Sequence, residues 1–193
     1  MTPRTPDTSA EAILHAASTL LAEEGPSALT VRRIAAAAGG STMNVYSRFG
    51  GKDGVLDALF VEGFTGLGDA MSRVRTTADP LADLTRCGRA YRTFALAHPT
   101  HYELMFDRYV PGYEPSPDAK AAAIRALSML ADRVRKAMDA GQLRSGDPMA
   151  TATVIWAAQH GPVSLELKSA GPPGTNWEGV HRMLTQAIIN GLA

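Results

Sequence analysis

The residues able to do chemistry are unevenly placed along this chain. Between Gly25 and Lys52 lie the cations Arg32, Arg33, Arg48 and Lys52, with no acid among them, in and around the run TVRRIAAAAGGSTMNVYSRFG (30–50). The end of that run holds side-chain types that hydrogen-bond base edges, since asparagine matches adenine and arginine matches guanine in a major groove. His98 and His101 stand three apart near Glu103, but two histidines without a further well-spaced ligand make a weak metal signal. His160 follows Trp156 by four residues; it is either a structural histidine on a packed helix or a ligand-bonding, proton-sensitive one. Cys87 is the single cysteine. It can form neither an internal disulfide nor a cysteine metal site, and reads as a small buried hydrophobe. No G-x-S-x-G elbow, P-loop, G-x-G-x-x-G fingerprint or catalytic cluster of carboxylates and histidines occurs. The chain is read as a non-enzyme with no catalytic residue, no metal and no cofactor.

Composition sets the bounds within which these residues act. A chain of 193 residues, 45% hydrophobic, is long enough for a substantial core. Lys plus Arg and Asp plus Glu are 19 each, for a formal net charge of zero. Any nucleic-acid contact must therefore come from a local cluster and not from a basic coat. No apolar run approaches the roughly 18–20 residues a membrane helix needs, and MTPRTPDTSA lacks a signal-peptide core. The expected place is the cytoplasm, with no membrane partner.

Apolar spacing is helical almost throughout. Ile13, Leu14, Ala17, Leu20 and Leu21 predict a first helix from Thr8 to Glu24, stopped by Gly25-Pro26. Thr30 caps a second from Val31, and Gly39-Gly40 ends it because glycine accepts the left-handed conformation past a helix terminus. Ser41 or Thr42 starts a third helix of about two turns. After Gly50-Gly51 a fourth carries Val55, Leu56, Leu59, Phe60, Phe64, Leu67, Met71 and Val74. Leu81, Leu84, Tyr91, Phe94 and His98 line a fifth, and Pro99 either ends it or opens a sixth with Tyr102, Met105 and Phe106. Past the loop VPGYEPSP, the series Ile124, Leu127, Leu130, Val134 and Met138 marks a seventh helix. Asp147-Pro148 opens an eighth with Pro162 inside it, and GPPG (171–174) breaks the chain before a ninth holding Trp177, Val180, Leu184, Ala187 and Ile188. The fold class is all-α, about nine helices, with no strand-like alternation.

Two short helices joined by a turn at Gly39-Gly40 have the sequence form of a helix-turn-helix. Val31, Ile34, Ala35 and Ala38 give the first an anchoring side. Val45 and Phe49 turn the second inward, leaving Thr42, Met43, Asn44, Ser47 and Arg48 to project toward bases. Thr30, Arg32, Ser41, Tyr46 and Lys52 are placed for phosphate, because helix starts offer unpaired amides.

The stretch from Ile13 to Phe60, ILHAASTLLAEEGPSALTVRRIAAAAGGSTMNVYSRFGGKDGVLDALF, resembles the N-terminal DNA-binding domain of TetR-family transcriptional regulators. The shared pattern runs from the I-x-x-A-A-x-x-L opening through T-V-R-x-I-A and S-x-x-x-V-Y-x-x-F to Lys52 with an acid after it. Gly40 stands where the family usually has an apolar residue, and Gly51 where it usually has serine. AYRTFALAHPTHYELMF (90–106) and IWAAQHGPVSLEL (155–167) look like the C-terminal domain type named for W-x-x-x-H-G, here Trp156, His160 and Gly161.

The resemblance implies a DNA-binding domain at 8–52 and a ligand-binding and dimerisation domain at 53–193. It implies a homodimeric regulator, by default a repressor, that binds a pseudo-palindromic double-stranded operator and is released by a small-molecule effector of unknown identity. The implied pocket lies among the middle helices, with Phe64, Tyr91, Phe94, His98, Tyr102, Met105, Trp156 and His160 as candidates. These aromatic and apolar groups are core by default, and a drug-sized pocket is lined by the same types. The implied dimer interface uses the last two helices, with Val163, Leu167, Val180, Leu184 and Ile188 as candidates. The competing reading is a helical interaction protein that has lost specific DNA binding.

Overall fold

Most helix starts in this chain fall where a side chain can take over an unpaired backbone amide. The computed structural model describes residues 9–107 and 109–193, so the expected start at Thr8 lies outside the described residues. Helix α1 (Ala10–Glu24) follows Ser9, whose Oγ accepts the N–H of Ala12 at 3.1 Å. Thr30 and Ser41 cap α2 (Val31–Ala37) and α3 (Thr42–Phe49) in the same way. Helix α4 (Lys52–Ser72) follows Gly50-Gly51 directly. Asp79, Asp147 and Asn176 cap α5 (Pro80–Ala97), α8 (Pro148–Leu167) and α9 (Trp177–Leu192). Proline opens α5, α6 (Pro99–Phe106), α7 (Pro117–Asp139) and α8, where its missing N–H would have had no helical partner. Among the described residues there is no strand, and a single 3₁₀ turn (Pro26–Ala28) links α1 to α2. No helix of the described residues is long and apolar enough to cross a membrane.

The chain divides into two compact units. Of the described residues, the first comprises those up to Phe64 together with those within Thr100–Ala122; the second comprises Thr65–Pro99 and Ala123–Ala193. In the first, α2 packs on both α1 and α3, and Ile13, Ala17, Leu21, Ile34, Val45, Val55 and Leu56 are buried. The segment after α6 is tied to the same unit. The Tyr109 hydroxyl donates to the Leu21 carbonyl at 3.1 Å, and Asp57 of α4 accepts from the Tyr113 hydroxyl and the Ser116 N–H.

In the second unit α8 lies along α9, and both contact α5. Leu84, Leu130, Val134, Ala137, Ala152, Ile155 and Ile189 form its core, with Trp156 and Ile188 packed against them. Arg133 of α7 donates to the carbonyls of Met71 and Val74 at 3.0 and 2.8 Å. It satisfies carbonyls at the end of α4, where a cation also suits the helix dipole.

Three expected placements are corrected. Val74 lies beyond the last residue of α4, in the turn that Arg133 holds. His98 is the C-cap of α5 and not part of its apolar face. Ile124 is 64% exposed, because the buried side of the first half of α7 consists of Ala119, Ala122 and Ala126, and Ile124 stands about 200° from the last two.

Candidate functional site

Each end of α2 is closed by a different device. At its start the Thr30 hydroxyl oxygen accepts the Arg33 N–H at 3.3 Å. At its end Gly39 takes a left-handed φ of 69°, while its N–H bonds Ala36 O at 3.1 Å and the Gly40 N–H bonds Ala35 O at 2.8 Å. That pair of bonds is the Schellman arrangement, so the backbone of Gly40 anchors the turn although its side chain is missing. Ile34 and Ala35 are buried, and Arg32 and Arg33 are exposed. Arg33 is ion-paired with Glu24 of α1, which raises the guanidinium pKa above its ordinary value. One of the four clustered cations is thereby committed within the unit, a pairing hidden by the nine-residue separation.

The turn delivers α3 with one side inward. Val45 is fully buried and Phe49 half-buried, while Thr42, Met43, Tyr46, Ser47 and Arg48 are exposed. Asn44 is half-buried. Its N–H donates to Ser41 Oγ at 3.4 Å, and its Oδ1 accepts the Ser41 hydroxyl at 3.0 Å, so cap and asparagine hold each other. Ser47 donates to the Asn44 carbonyl at 3.2 Å.

The passage from α3 to α4 requires glycine three times. Gly50 is left-handed at φ 74° and Gly51 has φ 134°. A Cβ on Gly51 would stand 3.5 Å from the Tyr46 ring, which therefore lies along the start of α4. A Cβ on Gly54 would lie 1.7 Å from the Phe49 carbonyl oxygen. Gly54 is a positioning residue not singled out from the sequence. Its signal was a glycine in a helical stretch, a local cost of about 1 kcal/mol that implies a packing reason. Lys52, half-buried, is the first residue of α4.

The candidate effector residues fall into two sets. In the first unit an aromatic chain runs Phe60, Phe64, Phe106, Tyr102, with successive ring centroids 4.9, 5.4 and 4.9 Å apart, and Met105 packs over Gly63. In the second unit the Tyr91 hydroxyl lies 3.2 Å from His160 Nδ1, whose ring is 5.9 Å from that of Trp156. Phe94 stacks on His98 at 4.8 Å and packs over Gly66. Among the described residues no group of three or more His, Cys, Asp or Glu is placed to hold a metal ion.

Several polar contacts of the second unit escaped the sequence. Arg92 of α5 makes a two-pronged pair with Glu166 of α8 at 2.8 and 2.6 Å, with both side chains largely buried. Gln159 of α8 donates to the Thr185 hydroxyl of α9 at 3.0 Å, both side chains buried, beside Gly88. His181 is buried, and among the described residues its Nε2 has no hydrogen-bond partner. Burial first, and the Arg92 charge second, hold its pKa below the ordinary histidine value, with Glu166 opposing. Of the expected dimer residues, Val163 is wholly covered within the chain, and Leu167, Val180, Leu184 and Ile188 are half-buried. Val154 and Leu165 of α8 and Met183 of α9 are exposed.

Comparison with known proteins gives a consistent picture. Residues 13–59 match the family model for bacterial regulatory proteins of the tetR family, and residues 84–187 match that for the tetracyclin repressor-like C-terminal domain. An HTH-type transcriptional regulator of Mycobacterium tuberculosis (strain ATCC 25618 / H37Rv) is 31% identical over 134 residues, 67% of this chain. The match covers 57% of that relative, so the chain spans little more than half the length of the curated relatives it matches. A solved protein of unknown function from Rhodococcus sp. RHA1 superposes with a TM-score of 0.84 at 26% identity over 100% of both chains. AibR, solved with isovaleryl coenzyme A and operator DNA, shares the fold at a TM-score of 0.66 and 20% identity, over 95% of this chain and 97% of its own.

Proposed function

The chain belongs to the TetR family of bacterial regulatory proteins, and from that premise we propose that it is a cytoplasmic, ligand-responsive repressor binding a pseudo-palindromic operator as a homodimer. The observation that carries the reading is the sidedness of α3. Val45 fixes the inward face, and the outward face presents Thr42, Met43, Tyr46, Ser47 and Arg48 with no acid among them. Two such helices in a dimer, about 34 Å apart, enter successive major grooves on one side of the duplex. Arg48 reads a base edge, while Arg32, Tyr46 and Lys52, with the capped helix starts at Thr30 and Ser41, hold phosphates. Asn44 acts mainly through Ser41, and reaches a base only by giving up that bond.

Residues 8–52 form the DNA-binding domain in this reading, and 53–193 the sensing and dimerising one. The dimer forms through α8 and α9, whose exposed Val154, Leu165 and Met183 supply apolar surface beside Leu167, Val180 and Leu184. A small-molecule effector acts in the sensing domain, and its binding lowers the affinity of α3 for the operator. AibR, of the same fold, holds both a small acyl-coenzyme A and operator DNA, which supports one chain doing both tasks. A 100-fold release from the operator requires about 2.7 kcal/mol of coupling between the two ligands. Selection of bound duplexes from a random pool, repeated with candidate metabolites, tests the proposal. Recovery of a two-fold symmetric site lost on addition of a metabolite supports it; recovery of no preferred duplex overturns it.

A further inference from the structure

We propose that Met43 reads a thymine methyl group in each operator half-site, so that the operator carries thymine at one fixed position which no hydrogen bond of the protein specifies. The inference rests on the reading of α3 as the recognition helix and deepens it.

Met43 lies in the first turn of α3 and is 70% exposed, two residues before the fully buried Val45. It contributes nothing to the core, and Tyr46 and Ser47, three and four residues on, share its exposed face. A long apolar side chain held in water beside polar neighbours gains free energy when something apolar covers it. A thioether has no proton to donate and is only a weak acceptor, so it cannot distinguish the hydrogen-bonding edges of guanine, cytosine or adenine. The thymine C5-methyl is the apolar group that the four bases present in the major groove. Methionine suits it, being unbranched, polarizable and able to settle against an irregular surface. The adjacent Asn44 would otherwise dominate readout at this end of the helix, but its Oδ1 is engaged by the Ser41 hydroxyl.

The test uses the full chain and the duplex recovered by selection. Each thymine of the half-site is replaced singly by deoxyuridine, which removes the methyl and keeps every hydrogen-bonding group. Covering one methyl corresponds to about fourfold in affinity per half-site, and about fifteenfold when both half-sites are changed. One position is expected to show this loss with the native chain, and Met43→Ala is expected to bind the thymine and deoxyuridine duplexes equally. Met43 is exposed, so the variant should melt like the native chain. Indifference to every deoxyuridine, or a penalty that persists in Met43→Ala, overturns the assignment of Met43 while leaving specific DNA binding intact. Absence of any preferred duplex defeats the recognition-helix reading itself.

Discussion

The Tyr113 hydroxyl donates a hydrogen bond to Asp57 Oδ1 at 2.8 Å, and the same oxygen accepts the Ser116 N–H at 3.1 Å. One carboxylate of α4 thus fixes the segment between α6 and α7 to the unit that carries α3. Tyr113→Phe keeps the ring and removes one charge-assisted bond, at an expected cost of about 1.5–3 kcal/mol in denaturant unfolding. Burial first, then Asp57, push the Tyr113 phenol well above its ordinary pKa. The unfolded phenol ionises near pH 10 while the folded one stays protonated, so this contribution is complete below about pH 10 and is lost as pH rises beyond it. Tyr113→Phe should flatten that alkaline decline relative to the native chain.

His181 sets the opposite dependence. Its folded pKa is depressed, so the unfolded chain takes up the proton first as pH falls. Stability from this group is complete above about pH 6.5 and falls below it, until the folded imidazole also protonates. Arg92 and Glu166, on α5 and α8, are the charges that bear on it. Thermal unfolding between pH 5 and 7 should show a shallower acid slope for His181→Leu than for the native chain; equal slopes would remove His181 from the account.

Gly54→Ala reverses the usual helix preference. Alanine normally stabilises a helix position by about 1 kcal/mol relative to glycine. Here the added Cβ meets the Phe49 carbonyl oxygen at 1.7 Å, so α3 and α4 must separate. The expected result is a loss of about 1–3 kcal/mol in unfolding free energy. Operator binding should weaken as well, because the shift falls on the C-terminal end of α3. A stabilised Gly54→Ala variant would contradict the packing described.

Local signals made much of this fold legible. Thr30, Ser41 and Gly39 announce the ends of α2 and α3 because capping depends on adjacent residues alone, and the two caps and the left-handed turn are all present. Relationships that depend on distant partners were hidden. Nothing local tells that Arg33 is held by Glu24, that Arg92 pairs with Glu166 74 residues on, or that Tyr113 reaches Asp57. Hydropathy also misled on α7, where the weight given to Ile124 concealed a buried face made of the alanines Ala119, Ala122 and Ala126. On α3 the pattern separated inner from outer residues, while nothing in it marks the Ser41–Asn44 bond that restrains one of the candidate readers.

The central claim is that the outward face of α3 and the start of α4 hold DNA. Its most direct test is the affinity of the native chain, Arg48→Ala and Lys52→Ala for the selected duplex and a scrambled one, measured across a salt series. The account predicts a steep fall in log affinity with log salt and a marked preference for the selected duplex. Arg48→Ala should lose about 1–3 kcal/mol with relaxed base preference, and Lys52→Ala should reduce the salt slope by about one unit. Equal, salt-insensitive binding to both duplexes, unchanged by either substitution, would contradict it.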